Sequence, residues 1–292
     1  MNNIVAKFVS VIIPVYNDRE RLKLCLTALE NQTYPQELYE VIVVDNASEE
    51  SIAEIVACFD RVVLTTETRR GSYAARNQGI KIAKGELIAF TDSDCIPAAD
   101  WLEKGVKRLL SSTDYAVFAG RIDIFFKNTN RPTAAEVFDK ICHLKQQDYV
   151  EKHHYGATAN LFTFKQIFKE VGLFNARLKS GGDANWGQRV FAYGYPIIYA
   201  DEVRISHPAR NSVAQLVKKA IRTTGGTFDW NDRRPLKLKI KPPVRSAIRK
   251  TLGDRNLKSI WGKIKLTFII IYIHYIRLGE TIRLQMGGES RF

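Results

Sequence analysis

Thr91-Asp92-Ser93-Asp94 stands directly after the apolar run Leu87-Ile88-Ala89-Phe90. Two carboxylates one residue apart, at the exit of a buried strand, can meet a divalent cation and the polar edge of a ligand together. An oxygen-rich site of this kind suits Mg2+ or Mn2+, which typically also take phosphate oxygens from the ligand. A solvated Asp-Ser-Asp turn is the competing reading, and a short motif alone does not displace it. Two further polar tips bear on the choice. Asp45 and Asn46 follow Tyr39–Val44, and Pro14, Tyr16 and Asn17 close the first apolar run. Each taken singly is compatible with an ordinary Asx turn. In a parallel sheet, however, strand C-termini share one edge, which would gather these tips beside Asp92 and Asp94.

The elements that must place them follow from hydrophobic periodicity. Val9–Tyr16, Tyr39–Asn46, Val62–Leu64 and Glu86–Asp92 read as strands, and Arg19–Gln32, Ser51–Phe59 and residues 72–84 as helices. Strand and helix alternate three times, which predicts an α/β fold with a doubly wound parallel sheet. After residue 110 the spacing predicts a longer strand at Tyr115–Phe126, a helix or extended connection over 133–150, and a strand at Gly156–Phe164. A short helix at Gln166–Val171, a helix at Asp183–Tyr193 and a strand at Pro196–Ala200 follow. From Asn211 the chain is helix-prone and basic, and residues 235–243 read as a linker.

The 292 residues are enough for a sizeable core without a disulfide or metal staple. A 45% hydrophobic fraction with mixed charges excludes a disordered chain. Residues 1–200 carry 24 Lys and Arg against 24 Asp and Glu, whereas residues 201–292 carry 20 against 7. The whole net charge of +13 therefore sits in the last third, which calls for an anionic neighbour. Cys25, Cys58, Cys95 and Cys142 are widely spaced and form no zinc pattern, so reduced thiols in a cytoplasmic setting are expected. The N-terminus, with no basic n-region or cleavage site, reads as part of a first strand and not as a signal peptide.

Four blocks, VSVIIPVYND, VIVVDNAS, RRGSYAARNQGIKIAKGELIAFTDSDC and GGDANWGQRVFAYGY, resemble in order and spacing those of family 2 glycosyltransferases, over roughly residues 8–210. The resemblance implies a GT-A fold (a Rossmann-like, mostly parallel sheet flanked by helices), a nucleotide-sugar donor, a divalent metal and inversion at the anomeric carbon. It implies that Pro14, Tyr16 and Asn17 line the nucleoside pocket, and that Asp45 faces the base, commonly uracil. Arg76 and Asn77 match the donor-contacting segment. Asp92, with Ser93 beside it, would contact the ribose or a metal-bound water, and Asp94 would ligate the metal.

An inverting displacement needs a base to take the acceptor hydroxyl's proton. Asp183, in Ser180-Gly181-Gly182-Asp183, is the candidate, with a helix N-cap as its structural alternative. The chain departs from the resemblance here, since relatives usually carry Glu-Asp where it has Gly182-Asp183. Trp186 can stack on an acceptor sugar or belong to the core. The Gln-x-x-Arg-Trp motif of processive synthases is absent, which points to addition of a single sugar. His207 falls where many GT-A enzymes place a third metal ligand, and the alternative is a surface histidine before Pro208.

These readings divide the chain into a GT-A catalytic domain, 1–210, and a basic helical C-terminal extension, 211–292. Residues 218–265 interleave Lys and Arg with Trp230, Leu236, Leu238 and Ile240, and the 11-residue apolar run Leu266–Ile276 follows. A spanning helix needs about 20 apolar residues. The expected arrangement is an interfacial helix on an anionic membrane, at the cytoplasmic inner face of the cell membrane. The alternative is a core helix with a solvated basic face.

Two other classes of function compete with this one. A sugar nucleotidyltransferase would carry a Gly-rich basic loop after the first strand, where Pro14–Asp18 stands instead. A non-catalytic basic nucleic-acid-binding protein would explain the tail but not the carboxylates at the strand exits. The expected partners are a nucleotide-sugar donor and a glycan or lipid-linked acceptor in polysaccharide or glycoconjugate synthesis, with Mn2+ or Mg2+ and no nucleic acid.

Overall fold

The β-branched run near the N-terminus forms β1 (Val9–Val15), buried at every position as a central strand must be. In the computed structural model, residues 7–111, 116–235, 237–238, 240–253, 256–257 and 259–291 are described. Residues 1–6, Tyr115 at the start of an expected strand, and Leu236 and Lys239 of the expected linker lie outside them.

Helix α1 (Arg19–Glu30) turns Leu22, Cys25, Leu26 and Leu29 inward at helical spacing. It leads to β2 (Tyr39–Asp45). The helix expected over Ser51–Phe59 is only the single turn α2 (Ala53–Val56). Then come the partly exposed edge strand β3 (Val62–Thr66), α3 (Ser72–Ile82) and β4 (Leu87–Thr91). These four strands are parallel, in the order β3-β2-β1-β4.

The second half of the sheet departs from the expectation of a parallel, doubly wound sheet. It comprises β5 (Ile96–Pro97), β6 (Val117–Phe125), β7 (Asn160–Phe164) and β8 (Ile197–Pro208). The full order is β3-β2-β1-β4-β7-β6-β8-β5, and β7 runs antiparallel to both β4 and β6. Strand β8 is far longer than the expected Pro196–Ala200, because β5 pairs antiparallel with its end. The same part of the chain forms α4 (Trp101–Leu110), α5 (Ala134–Cys142), α6 (Gln146–His153), α7 (Lys165–Glu170) and α8 (Gly182–Ala192).

One buried amide fixes the junction. Asn160 Oδ1 accepts from Trp101 Nε1 at 2.9 Å, while its Nδ2 donates to Arg121 O at 2.8 Å and Val203 O at 2.9 Å. A fully buried amide must be satisfied in this way, since each lost partner costs about 1–3 kcal/mol.

The chain forms two compact units. One comprises 1–123, 145–177 and 182–207, and the other 124–144, 178–181 and 208–292. The second unit is thus not simply the C-terminal extension, since it also takes in α5. It is completed by α9 (Val213–Trp230), α10 (Val244–Gly253) and α11 (Ile260–Gln285). Phe138, Leu216, Ala247, Leu266, Ile270 and Ile273 are buried together in its core. Helix α5 opens with a full capping box between Thr133 and Glu136. The run Leu266–Ile276 is therefore partly core, because Leu266, Ile270 and Ile273 face inward. No helix among the described residues is long and apolar enough to cross a membrane.

Candidate active site

The strand exits of the first unit supply the acidic groups. After β4 the chain turns tightly, with Cys95 N donating to Asp92 O at 3.0 Å, and enters β5. The β5–β8 register sets Ile96 against Ser206 and Pro97 against Ile205, which brings residues 94 and 95 alongside His207. As a result Asp94 Oδ1 lies 3.6 Å from His207 Nε2. Together with the Cys95 thiol, their ligand atoms all fall within 4.8 Å of one another. Burial pushes the Asp94 carboxyl up, against the opposing pull of His207. Burial also holds the Cys95 thiol well above its ordinary range, and a soft sulfur is in any case a poor partner for Mg2+ or Mn2+. The carboxylate–imidazole pair that remains fits a divalent cation that takes its other ligands from a diphosphate.

Two residues that the sequence reading passed over support this corner. Arg21, on the first turn of α1, places Nη1 3.6 Å from Asp94 Oδ2 and Nε 2.7 Å from Asp18 Oδ1. Ser93 Oγ donates to Asp18 Oδ2 at 3.1 Å, so its hydroxyl braces the turn. The i, i+3 spacing of Asp18 and Arg21 was the available signal.

Asp92 pairs with the buried guanidinium of Arg76, through Nη2. Arg76 also pulls the Asp183 carboxyl down electrostatically, while burial, the larger effect, pushes it up. One arginine therefore links the strand-exit carboxylate to the candidate base. Asp183 sits in the first turn of α8, where Oδ1 accepts from Ala184 N at 3.0 Å and from Tyr73 Oη at 3.1 Å. It is helix-terminal and site-facing at once. Gly182 makes this possible, because a Cβ there would lie 2.7 Å from the Tyr73 ring.

The remaining candidates divide. Asn17, with φ 50°, donates its N–H to Ser48 Oγ at 3.0 Å and accepts from Glu49 N at 2.8 Å, which joins the β1 and β2 tips. Asp45 Oδ1 accepts from Ser48 N at 3.0 Å, a local side-chain bond that braces the turn at the same edge. Tyr16 is exposed, with the Arg70 guanidinium 5.7 Å from its ring centre. Pro14 is buried within β1 opposite Val44. Asn77 exchanges hydrogen bonds of 2.8 and 3.1 Å with the Phe174 backbone.

Trp186 requires a correction. Its ring is 0% exposed, stacks on Phe168 and donates through Nε1 to Gly172 O at 3.0 Å. A ring packed on all sides has no face for a sugar, so Trp186 belongs to the core and not to an acceptor platform.

The model described as Glycosyl transferase family 2 matches residues 10–172. The chain belongs to that family. Among curated proteins, glycosyltransferase AglE of Haloferax volcanii is 39% identical over 224 residues, which is 75% of this chain and 72% of AglE. The Methanococcus voltae dolichyl N-acetyl-alpha-D-glucosaminyl phosphate 3-beta-D-2,3-diacetamido-2,3-dideoxy-beta-D-glucuronosyltransferase is 22% identical over 231 residues, 73% of this chain and 71% of that protein. Among solved structures, the mannosyltransferase PcManGT of Pyrobaculum calidifontis, in complex with GDP-Man and Mn2+, superposes with a TM-score of 0.60 at 18% identity. That superposition covers 97% of this chain and 75% of PcManGT and supports the GT-A fold. The family 2 chain is therefore a glycosyltransferase, with its strand-exit carboxylates on a GT-A sheet.

Proposed function

We propose that this glycosyltransferase moves a single sugar, with inversion, from a nucleotide-sugar donor to a glycan or lipid-linked acceptor in glycoconjugate or polysaccharide synthesis. The observation that carries the reading is the double role of Arg76, paired with Asp92 and acting on Asp183. It sets the donor end and the proton-accepting end of the site within reach of one guanidinium.

Tyr16, Asn17 and Asp45 take the nucleoside, a uridine by family analogy, at the joined β1 and β2 tips. Asp92 and Arg76 orient the donor, and Asp94 and His207 hold the Mn2+ or Mg2+. A divalent cation bound there supplies charge neutralisation for the departing diphosphate. Asp183 takes the acceptor hydroxyl's proton as that oxygen bonds to the anomeric carbon from the face opposite the leaving group. The bond from that carbon to the diphosphate oxygen breaks, and the nucleoside diphosphate leaves with the electron pair. Inversion follows from attack opposite the leaving group.

Residues 1–210 act as the catalytic part. The basic residues 201–292 hold the enzyme peripherally at an anionic membrane, on the cytoplasmic inner face. Calorimetric titration with UDP-sugars and Mn2+ tests the donor assignment. Binding by the wild-type chain, lost on chelation and in Asp94→Ala, is the expected result. Indifference to both metal and substitution rejects it.

A further inference from the structure

Helix α11 has two apolar faces where one would suffice. Leu266, Ile270 and Ile273 point into the core of the second unit, and Leu284 on the same side is buried too. On the opposite side Trp261, Ile264, Phe268, Tyr272, Tyr275 and Ile282 are exposed, Trp261 at 69% and Phe268 at 68%. At 3.6 residues per turn these six positions fall within about 80° of arc, and they run along most of a helix about 39 Å long. Neighbouring α10, bonded to α11 through Thr267 and Thr251 at 3.1 Å, repeats the pattern with exposed Val244, Ile248 and Leu252. A helix apolar on both sides needs something to cover the outward one.

We infer that the outward stripe of α11, with that of α10, is the face on which this enzyme lies on an anionic lipid bilayer. The inference rests on the membrane-surface reading above and gives it a specific surface. Charge selects the occupant. Lys265 lies beside the stripe, and Arg245 and Arg249 alternate with the apolar positions of α10. Helix α10 has no carboxylate, and the single one on α11, Glu280, is buried and taken up by Arg283 at 2.6 Å. Two identical faces of this charge would repel one another, whereas anionic headgroups would attract both. Side-chain type agrees, since Trp and Tyr favour the membrane–water boundary, with rings in the apolar zone and polar atoms outside. As α11 is not apolar enough to cross a bilayer, its stripe lies along the surface, where buried area and basic charge add.

The test is co-sedimentation of the 292-residue chain with vesicles of phosphatidylcholine and phosphatidylglycerol, against pure phosphatidylcholine, with light scattering on the free protein. The wild-type chain is expected to bind the anionic vesicles and release them at high salt. Trp261→Ser/Phe268→Ser is expected to lose at least about tenfold in partitioning, with circular dichroism and nucleotide-sugar binding unchanged. Lys265→Glu/Arg245→Glu should weaken binding to anionic vesicles selectively. Vesicle binding that survives Trp261→Ser/Phe268→Ser overturns the assignment of this face while leaving a membrane enzyme. Failure of the wild-type chain to bind anionic vesicles overturns the face and the membrane reading together. A dimer that the same double substitution converts to monomer, without vesicle binding, assigns the stripe to a second copy and also overturns it. In each case nucleotide-sugar binding reports separately on the catalytic reading.

Discussion

Tyr73 donates its phenolic proton to Oδ1 of Asp183 at 3.1 Å, from a helix 110 residues earlier in the chain. Tyr73 is buried, and burial holds its hydroxyl far above its ordinary titration range, so it remains a donor throughout the working pH range. A hydrogen bond to a carboxylate favours the ionised form, which is the form a base needs.

Removing that donor should leave Asp183 less ionised and less firmly oriented, without disturbing the donor pocket. Tyr73→Phe is expected to lower kcat by about tenfold or more, as a hydrogen bond to a charged group is worth about 1.5–3 kcal/mol. The KM for the nucleotide sugar should change little. A KM effect with kcat intact would assign Tyr73 to binding instead.

Asp183 should also set the acid limb of the pH–rate profile. Burial raises its carboxyl above the ordinary aspartate range, and Arg76 opposes the shift without reversing it. Activity is therefore present above this raised pKa and lost as pH falls through it, at a higher pH than about 3.9. Tyr73→Phe moves the limb further up, because it removes a group that favours the carboxylate. An acid limb that stays in place in that variant contradicts the coupling.

Gly182 should tolerate no side chain. A Cβ at 2.7 Å from the Tyr73 ring forces that ring off Asp183 or shifts the start of α8. Gly182→Ala is expected to cost about 1–3 kcal/mol of stability and to reproduce the kinetic loss of Tyr73→Phe. Thermal melts with the same kinetic assay check both effects. Wild-type turnover would show that the helix start has room to move.

The second unit should weaken in acid. Asp139, fully buried, meets His143 Nδ1 at 2.6 Å, Arg210 Nη1 at 3.2 Å and Lys219 Nζ at 3.9 Å. Burial pushes Asp139 up, but these partners outweigh it and hold the carboxyl well below its ordinary range. Burial pushes His143 down to about 4. Both groups have depressed values in the folded chain. Their stabilisation is full above their unfolded values, about 6.5 for the histidine and 3.9 for the aspartate, and is lost as pH falls through the folded ones. Melting followed from pH 7 to pH 4 should show a loss that begins below about 6.5. Asp139→Ala, which strands Arg210 and Lys219 among buried neighbours, should cost about 3 kcal/mol at neutral pH.

How far the sequence reached depends on how local each feature is. Strands β1, β2 and β4 and their polar tips were legible, because an uninterrupted β-branched run with an Asx exit is a short-range signal. The antiparallel β7 was not, as its direction depends on pairing with β4 and β6. Asp94 and His207 were each visible, but their contact depends on a two-residue strand, β5, too short to show periodicity. Tyr73 carried no signal at all, since only the packing of α3 against the start of α8 gives it a partner. Trp186 was ambiguous as a type, and burial decided it. The run Leu266–Ile276 was seen as one apolar block. Only the helix geometry divides it into a face that builds the core and a face that does not.

The most direct test of the account is Asp183→Asn, which keeps the size and the contact with Tyr73 but cannot accept the acceptor's proton. Calorimetry on the nucleotide sugar with Mn2+ and a transfer assay should be run on the same preparation. The account predicts donor affinity within about twofold of wild type and a loss of transfer of at least about a hundredfold. Transfer at the wild-type rate in that variant would contradict it.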